Sequence, residues 1–194
     1  MSRMSTARPY HHGDLRRVVL DAAVAALLET GPGRLSLRDL ARRAGVSHAA
    51  PAYHFGDKAG LLTAIAAEGF DLLADALTAA HGDAGGFLEV GVAYVRFAID
   101  HRAHFEVMFR PDLYRPDDAA VQAARQRSAD ALYGGAGSLT AAQRGPDVRL
   151  AGVAAWSLVH GFATLWLNDA LPGGLGDDPE AAARAVATVL FRTP

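Results

Sequence analysis

Apolar residues recur at helical spacing along most of this 194-residue chain, and short breaks rich in glycine and proline separate the repeats. The first repeat follows Asp14, a residue that can cap a helix, and it stops at Gly31-Pro32-Gly33. Strand-like alternation of Val, Ile and Thr is absent, whereas alanine is abundant. This pattern predicts an all-α protein of about nine helices, because alanine and the i, i+3, i+4, i+7 spacing both favour helix.

The basic residues are concentrated near the N-terminus, although the net charge of the whole chain is only −2. Residues 1–60 contain nine Lys or Arg and five Asp or Glu, whereas residues 61–194 contain ten and sixteen. A basic first part joined to an acidic remainder is compatible with a polyanionic partner for the first part only.

The absence of cysteine excludes disulfides and thiolate metal sites. Residues 1–10 are polar and lack the apolar core of a secretory signal, so we expect a cytoplasmic protein. The uncharged stretch Leu150–Asn168 barely reaches membrane-spanning length and contains Ser157 and His160. We therefore expect a helix that is buried in protein, with no membrane partner.

Residues 36–58 predict two short helices joined by a tight glycine turn. Ser36 can open the first helix with Asp39 completing a capping box, and Gly45 can end it in the left-handed conformation. Ser47 can cap the second helix, which we expect to run to about Phe55. A helix, a tight turn and a second short helix are the geometry of a helix-turn-helix.

This arrangement suits DNA, because helix N-termini attract phosphate through their free N–H groups and the helix dipole. Asp57 marks a third such end, where a long fourth helix begins, and Lys58 adds a cation there. A histidine can bind base edges and an alanine can contact a thymine methyl group. The outward residues of the second helix are predicted to be His48, Ala49, Tyr53 and His54. A small three-helix bundle with ordinary caps would show a similar pattern.

The residues from Leu37 to Ser47, followed by Phe55-Gly56-Asp57-Lys58 and Leu61, resemble the DNA-binding head of the TetR/AcrR family of transcriptional regulators. His12–Arg16 and Ser47–Pro51 resemble one branch of that family. In the second half of the chain, Trp156–Gly161 resembles the Trp-His-Gly signature of a C-terminal ligand-binding domain found in that branch.

The resemblance implies a DNA-binding head, residues 10–70, and a larger body for ligand binding and dimerisation, residues 71–194. It implies a homodimeric repressor that a small hydrophobic molecule releases from a near-palindromic operator. It also implies phosphate contacts by Ser36, Ser47 and Lys58, and base contacts near His48 and Ala49. The alternative is a DNA-binding protein that needs no ligand.

The sequence departs from the family at one position of the second short helix. The family usually places a phosphate-binding tyrosine directly after the position of Pro51, where this chain has Ala52 followed by Tyr53. A shift of one residue rotates a side chain by about 100° around a helix. Three partners therefore stay open for Tyr53, namely the same phosphate, the opposite DNA strand and the start of the fourth helix.

The body is rich in aromatic residues with few polar neighbours, which is typical of an apolar core and also of a small-molecule cavity. The predicted cavity residues are Tyr94, His101, Phe105, Met108, Trp156 and His160. Asp100, His101 and His104 lack a further metal ligand, so we expect no metal and no cofactor. No nucleophile–base pair, paired carboxylates or phosphate-binding glycine loop stands out, which argues against an enzyme.

Two apolar helices are expected near the C-terminus, over residues 150–171 and 179–191. They lack enough polar surface to face water on every side, so pairing with a second subunit in a four-helix bundle is predicted. The predicted interface residues are Ala151, Ala155, Leu158, Phe162, Leu165, Ala183, Val186, Ala187 and Leu190.

Overall fold

The computed structural model describes residues 12–82, 86–134 and 147–191, and within these ranges the predicted all-α fold is confirmed. The described helices are α1 (His12–Thr30), α2 (Leu37–Arg43), α3 (Ala50–Phe55), α4 (Lys58–Gly82), α5 (Gly86–Asp100), α6 (Arg102–Met108), α7 (Ala119–Gly134), α8 (Val148–Leu167) and α9 (Pro179–Phe191), with a short 3-10 helix at Pro32–Arg34.

The 25-residue helix α4 connects the head to the body. Its N-terminal part packs against α1 and α3, and the rest packs against α5, α6 and α7. Leu61, Ile65 and Leu77 lie on its fully buried face, within one apolar core that continues from the head into the body. The predicted domain boundary at residue 70 lies inside this helix, and the division into two domains stays a prediction.

Three helices begin at other residues than expected. Helix α1 begins at His12 rather than after Asp14. Helix α3 begins at Ala50 rather than after Ser47, because residues 47–49 form a turn in which the Ala50 N–H donates to the Ser47 carbonyl at 3.0 Å. Helix α8 begins at Val148, two residues before the expected residue 150.

A capping carboxylate explains the start of α7 and that of α8. The Asp118 carboxylate accepts from the Ala120 N–H at 2.9 Å, which satisfies one of the free donors at a helix N-terminus. Asp147 caps α8 in the same way, accepting from the N–H groups of Arg149 and Leu150. Helix α8 then ends at Leu167, before the expected Leu171.

Helix α8 is the one described helix that is long and apolar enough to cross a membrane by length and composition, with a mean hydropathy of 1.5. One face packs on α5, where the Val159 side chain approaches Gly91. The opposite face contains Ser157 and Thr164. Only 22% of its apolar window is buried within the chain, so one face of α8 packs on α5 and most of the helix surface stays at least partly exposed.

Candidate nucleic-acid interface and ligand cavity

A tight glycine turn joins α2 to α3. Gly45 has a φ of 65°, in the left-handed region that favours glycine. Its N–H donates to the Arg42 carbonyl at 3.3 Å, and the Val46 N–H donates to the Ala41 carbonyl at 3.0 Å. These two bonds form a Schellman C-cap, so the predicted role of Gly45 is confirmed.

The capping box predicted for α2 is wrong. Ser36 occupies the N-cap position, but its hydroxyl makes no capping hydrogen bond. Asp39 instead accepts from Arg42 at 2.5 Å and from Arg43 at 3.2 Å, and these hydrogen bonds hold the pKa of Asp39 below its ordinary value. The Ser36 side chain is left exposed at the N-terminus of α2.

Helix α3 has one buried face and one exposed face. Ala50, Pro51 and Phe55 are buried against the head, and Pro51 lies in the first turn, where its missing N–H breaks no hydrogen bond. The exposed face includes Tyr53, whose side chain is 80% exposed, so packing beside the start of α4 is excluded. The predicted DNA-binding residues Ser36, Ser47, His48, Ala49 and Tyr53 are exposed, whereas His54 and Lys58 are half-buried.

Lys58 has a partner within the chain. Its ammonium group donates to the Gly33 carbonyl at 3.2 Å and so links the start of α4 to the 3-10 turn after α1. Any phosphate contact by Lys58 would therefore share the ammonium group with this internal hydrogen bond.

Two arginines on this side of the head were missed by the sequence interpretation. Arg34 and Arg38 are exposed, and no carboxylate of the described residues pairs with either. By contrast, Arg42 binds Asp39, and Arg43 binds both Asp39 and Glu29. The sequence contained the signal, because Arg34 and Arg38 have no acidic residue three or four positions away, where a helical ion pair would form.

A loop of the body binds the junction between α3 and α4. Arg115, between α6 and α7, donates from its backbone N–H to the Thr63 hydroxyl at 3.0 Å and from its guanidinium to Asp57 at 2.7 Å. Asp57 also caps α4 as predicted, accepting from the Gly60 N–H at 2.8 Å. This contact, which we call the Arg115 clamp, connects the body to the end of α3.

Aromatic rings form a continuous cluster in the body. Phe109 is central, with its ring centroid 4.6 Å from that of His160, 5.2 Å from Phe105 and 6.2 Å from Trp156. The Trp156 indole N–H donates to the Tyr94 hydroxyl at 3.1 Å, and that hydroxyl also makes a 2.9 Å hydrogen bond with His160 Nδ1. The Trp156 indole N–H, the Tyr94 hydroxyl and His160 Nδ1 therefore find their hydrogen-bond partners within the cluster.

Beside this cluster lies a cavity of about 140 Å³ between α4, α5, α7 and α8. Tyr94 and Trp156, both predicted cavity residues, line it, whereas Phe105 and His160 are not in the lining but contact the ring of Tyr94. Its lining is mainly aromatic and aliphatic, and it comprises Phe70, Leu73, Tyr94, Phe109, Arg125, Ser128, Ala129, Leu132, Tyr133 and Trp156. Phe70, Phe109, Arg125 and Tyr133 were not among the predicted cavity residues.

Two residues predicted for the cavity lie elsewhere. Met108 is buried where α6 packs on α4, and a Cβ at Gly69 would lie 2.6 Å from its sulfur. His101 stacks near Phe97, on the α5–α9 side of the body. Sequence spacing placed them with the other aromatics, but Met108 packs against α4 and His101 lies among residues of α4, α5 and α9.

His104 is 5% exposed, and neither of its ring nitrogens has a hydrogen-bond partner. Burial lowers its pKa, so the ring stays neutral near pH 7. Its ring centroid is 5.9 Å from that of His101, but no third ligand of the described residues joins them as a metal site would require.

The exposed apolar face of α8 and α9 differs from the predicted stripe. Phe162, Ala183 and Ala187 are at most 6% exposed and pack inside the chain, so their assignment to the outer face is wrong. The reason is that this stripe of α8 faces α5 and α9 rather than solvent.

Other predicted interface residues are partly accessible. Ala151, Ala155, Leu158 and Val186 are half-buried, Leu165 is 45% exposed, and the Leu190 side chain lies outside the described residues. The large apolar side chains that are exposed on α8 and α9 are Val148, Leu150, Val153, Leu165 and Val189.

The sequence matches two protein families. Residues 19–65 match "Bacterial regulatory proteins, tetR family", and residues 87–190 match "Tetracyclin repressor-like, C-terminal domain". No match was found among curated proteins.

Solved structures share the fold over nearly the whole chain. A protein of unknown function from Rhodococcus sp. RHA1 is 36% identical, with a TM-score of 0.79, and the match covers 95% of this chain and 97% of that chain. The TetR family transcriptional regulator PfmR from Thermus thermophilus is 25% identical, with a TM-score of 0.69 and coverage of 89% and 96%.

A third structure is similar in fold alone. The TetR-like regulator LfrR from Mycobacterium smegmatis, solved in complex with proflavine, is 21% identical, with a TM-score of 0.67 and coverage of 94% and 98%.

Proposed function

The chain belongs to the TetR family of transcriptional regulators, and we propose that it acts as a homodimeric repressor that a small molecule releases from a near-palindromic operator. The DNA-binding part of this proposal is supported by the exposed surface that α2, the glycine turn and α3 form. Members of this family are DNA-binding regulators rather than enzymes. On this proposal the protein acts in the cytoplasm, where the DNA lies.

On this proposal, α3 enters the major groove with the turn before it. His48 can donate to or accept from base edges, and Ala49 can contact a thymine methyl group. Ser36 and Ser47 lie close to helix N-termini, where hydroxyls and free N–H groups bind phosphate. Tyr53 extends from the exposed face of α3 and is available to DNA, whereas the half-buried His54 has less surface to offer.

Three cations add phosphate affinity to this surface. Arg34 and Arg38 are exposed and unpaired by any described carboxylate, so no ion pair has to break when they bind phosphate. Lys58 is proposed to bind phosphate while its hydrogen bond to Gly33 holds the turn in place. Each such contact strengthens binding independently of sequence and makes it salt-dependent.

The partner proposed for the exposed face of α8 and α9 is a second copy of the chain. Leu150, Leu165 and Val189 are 65%, 45% and 70% exposed there, and small residues such as Ala154 and Gly161 let another helix approach closely. Pairing these helices across a two-fold axis buries the face and makes a four-helix bundle. Two heads are then presented to one duplex.

The cavity favours a ligand-responsive regulator over a DNA-binding protein that needs no ligand. It is lined by aromatic rings beside a polar cluster whose members already hydrogen-bond to one another, which is typical of a small-molecule site. Phe109 contributes to the lining and begins the loop that carries Arg115. Displacement of Phe109 by a ligand can therefore move the Arg115 clamp and, with it, the start of α4.

DNA affinity measured by fluorescence anisotropy tests the assignment of α3. With a duplex selected from a random-sequence pool, His48→Ala and Tyr53→Ala should each weaken binding by about tenfold, the effect of losing one good base or phosphate contact. Arg127→Gln, in the body, is the matched control and should bind as the wild type does. Unchanged affinity in both α3 variants would contradict the proposal.

A further inference from the structure

Among the described residues that line the cavity beside the aromatic cluster, one is charged. Arg125 lies on the exposed side of α7, and no carboxylate of the described residues pairs with it. Arg127, two residues further along the same helix, shows the contrast, because it is held by Asp71 and, at 3.0 Å, by Asp75. Arg125 therefore keeps its five donors available at the edge of the cavity.

The polar groups in and beside the aromatic part of the lining, Tyr94 and His160, are electrically neutral near pH 7. Burial raises the pKa of Tyr94 above its ordinary value and lowers the pKa of His160, so the phenol keeps its proton and the imidazole carries no charge. Their hydrogen bonds to each other and to Trp156 are already made. Among the described lining residues there is no Asp or Glu that could balance a cation.

The size of the cavity limits the apolar part of a ligand. Its volume of about 140 Å³ is close to the roughly 150 Å³ of an apolar protein cavity that accommodates benzene. Phe70, Phe109 and Trp156 contribute aromatic rings to the lining. Aromatic rings prefer offset or edge-to-face partners of this kind.

We propose that the cavity selects a compact organic acid, in which a single ring lies against Phe109 and Trp156 and a carboxylate binds the guanidinium of Arg125. This inference rests on the proposed function, because it names the ligand class of the proposed effector site. Arginine suits the role, since its planar donors match the two oxygens of a carboxylate. A cationic ligand would meet Arg125 without a compensating carboxylate.

Isothermal titration calorimetry with three probes of similar shape tests the ligand class. Benzoate, benzamide and benzylamine place an anionic, a neutral and a cationic group on the same ring. We expect benzoate to bind about tenfold more tightly than benzamide, as for a charge-assisted pair that is partly screened by solvent, and benzylamine to bind least.

Two arginine variants show whether the preference comes from the proposed residue. Arg125→Gln should make benzoate and benzamide bind equally, whereas Arg127→Gln should keep the tenfold preference. Ala129→Trp, which fills the cavity from α7, should abolish binding of benzoate, and circular dichroism would check that each variant is folded.

Different results would overturn the proposed ligand class and the proposed ligand-binding function. Equal binding of benzoate and benzamide, unchanged by Arg125→Gln, would overturn the acid class and leave a cavity for neutral ligands. Binding of none of the three probes would overturn it as well. Thermal shift with larger neutral compounds would then decide separately whether the cavity binds a ligand.

Discussion

Replacing Gly60 by alanine tests how closely the end of α3 is fixed to the start of α4. A Cβ at Gly60 would lie 2.0 Å from the Phe55 carbonyl oxygen and 2.8 Å from the guanidinium of Arg115. Real Cβ atoms essentially never approach another atom within 3.0 Å, so the Phe55 oxygen would have to retreat by about 1 Å. That oxygen also accepts from the Asp57 N–H at 3.0 Å, so the last turn of α3 must move with it.

The expected destabilisation is the difference between two opposing effects. Overpacking a well-filled site costs about 1–3 kcal/mol, and a value near 2–3 kcal/mol is expected here because the obstacle is backbone. Alanine in place of glycine inside a helix stabilises the folded state by about 0.5–1 kcal/mol. The net loss of about 1.5 kcal/mol corresponds to a fall in melting temperature of about 3–6 °C for a chain of this length.

Two assays and one control decide the outcome. Differential scanning calorimetry measures the melting temperature, and anisotropy with a selected duplex measures DNA affinity, which should fall further because α3 is displaced. Gly33→Ala is the control, since nothing lies within 4 Å of its added Cβ and no shift beyond about 1 °C is expected. A Gly60→Ala protein with wild-type melting temperature and wild-type affinity would refute the packing described for this junction.

Three further predictions concern the head, the exposed face and the buried histidine. Arg38→Ala should weaken DNA binding and reduce the slope of log K against log salt by about one unit. Arg42→Ala should change the slope less, because Asp39 already binds that guanidinium. Equal slopes for the two variants would contradict this prediction. Leu165→Glu places a charge on the exposed face of α8 and should give a monomer in sedimentation velocity, whereas a dimer would move the interface elsewhere. Burial lowers the pKa of His104, so the unfolded chain binds the proton more readily than the folded chain. Stability is therefore lost as the pH falls below about 6.5, the ordinary pKa of histidine. The melting temperature should drop between pH 7.5 and 5.5, and it should drop less in His104→Leu.

The local elements were predictable wherever one residue decides the backbone conformation. Gly45 in the left-handed region, Pro51 in the first turn of α3 and the Asp57 cap of α4 follow from short-range chemistry, and the structure has all three. The capping box at Ser36 failed for a different reason. Asp39 can bind either a backbone N–H or a neighbouring guanidinium, and in the structure it accepts hydrogen bonds from Arg42 and Arg43 on the next turn.

The assembly of the body was less predictable, because a helical stripe does not say which neighbour covers it. Phe162 and Ala183 were expected on an outer face, but α5 and the α8–α9 contact bury them. His101 and Tyr94 lie on one helix and its end, yet the turn into α6 separates them. Arg125 carried no distinguishing pattern in the sequence, since its lack of a carboxylate partner depends on the packing of α4 against α7.

The central claim is that two copies of the chain place two α3 helices on one duplex. The mass of the complex with a selected duplex, measured by sedimentation equilibrium, tests this claim most directly. We predict an even number of chains per duplex, with two as the smallest complex, and half-sites about one helical turn apart or a multiple of that distance. A saturated complex with one chain per duplex, or the absence of any duplex that the protein enriches, would contradict the account.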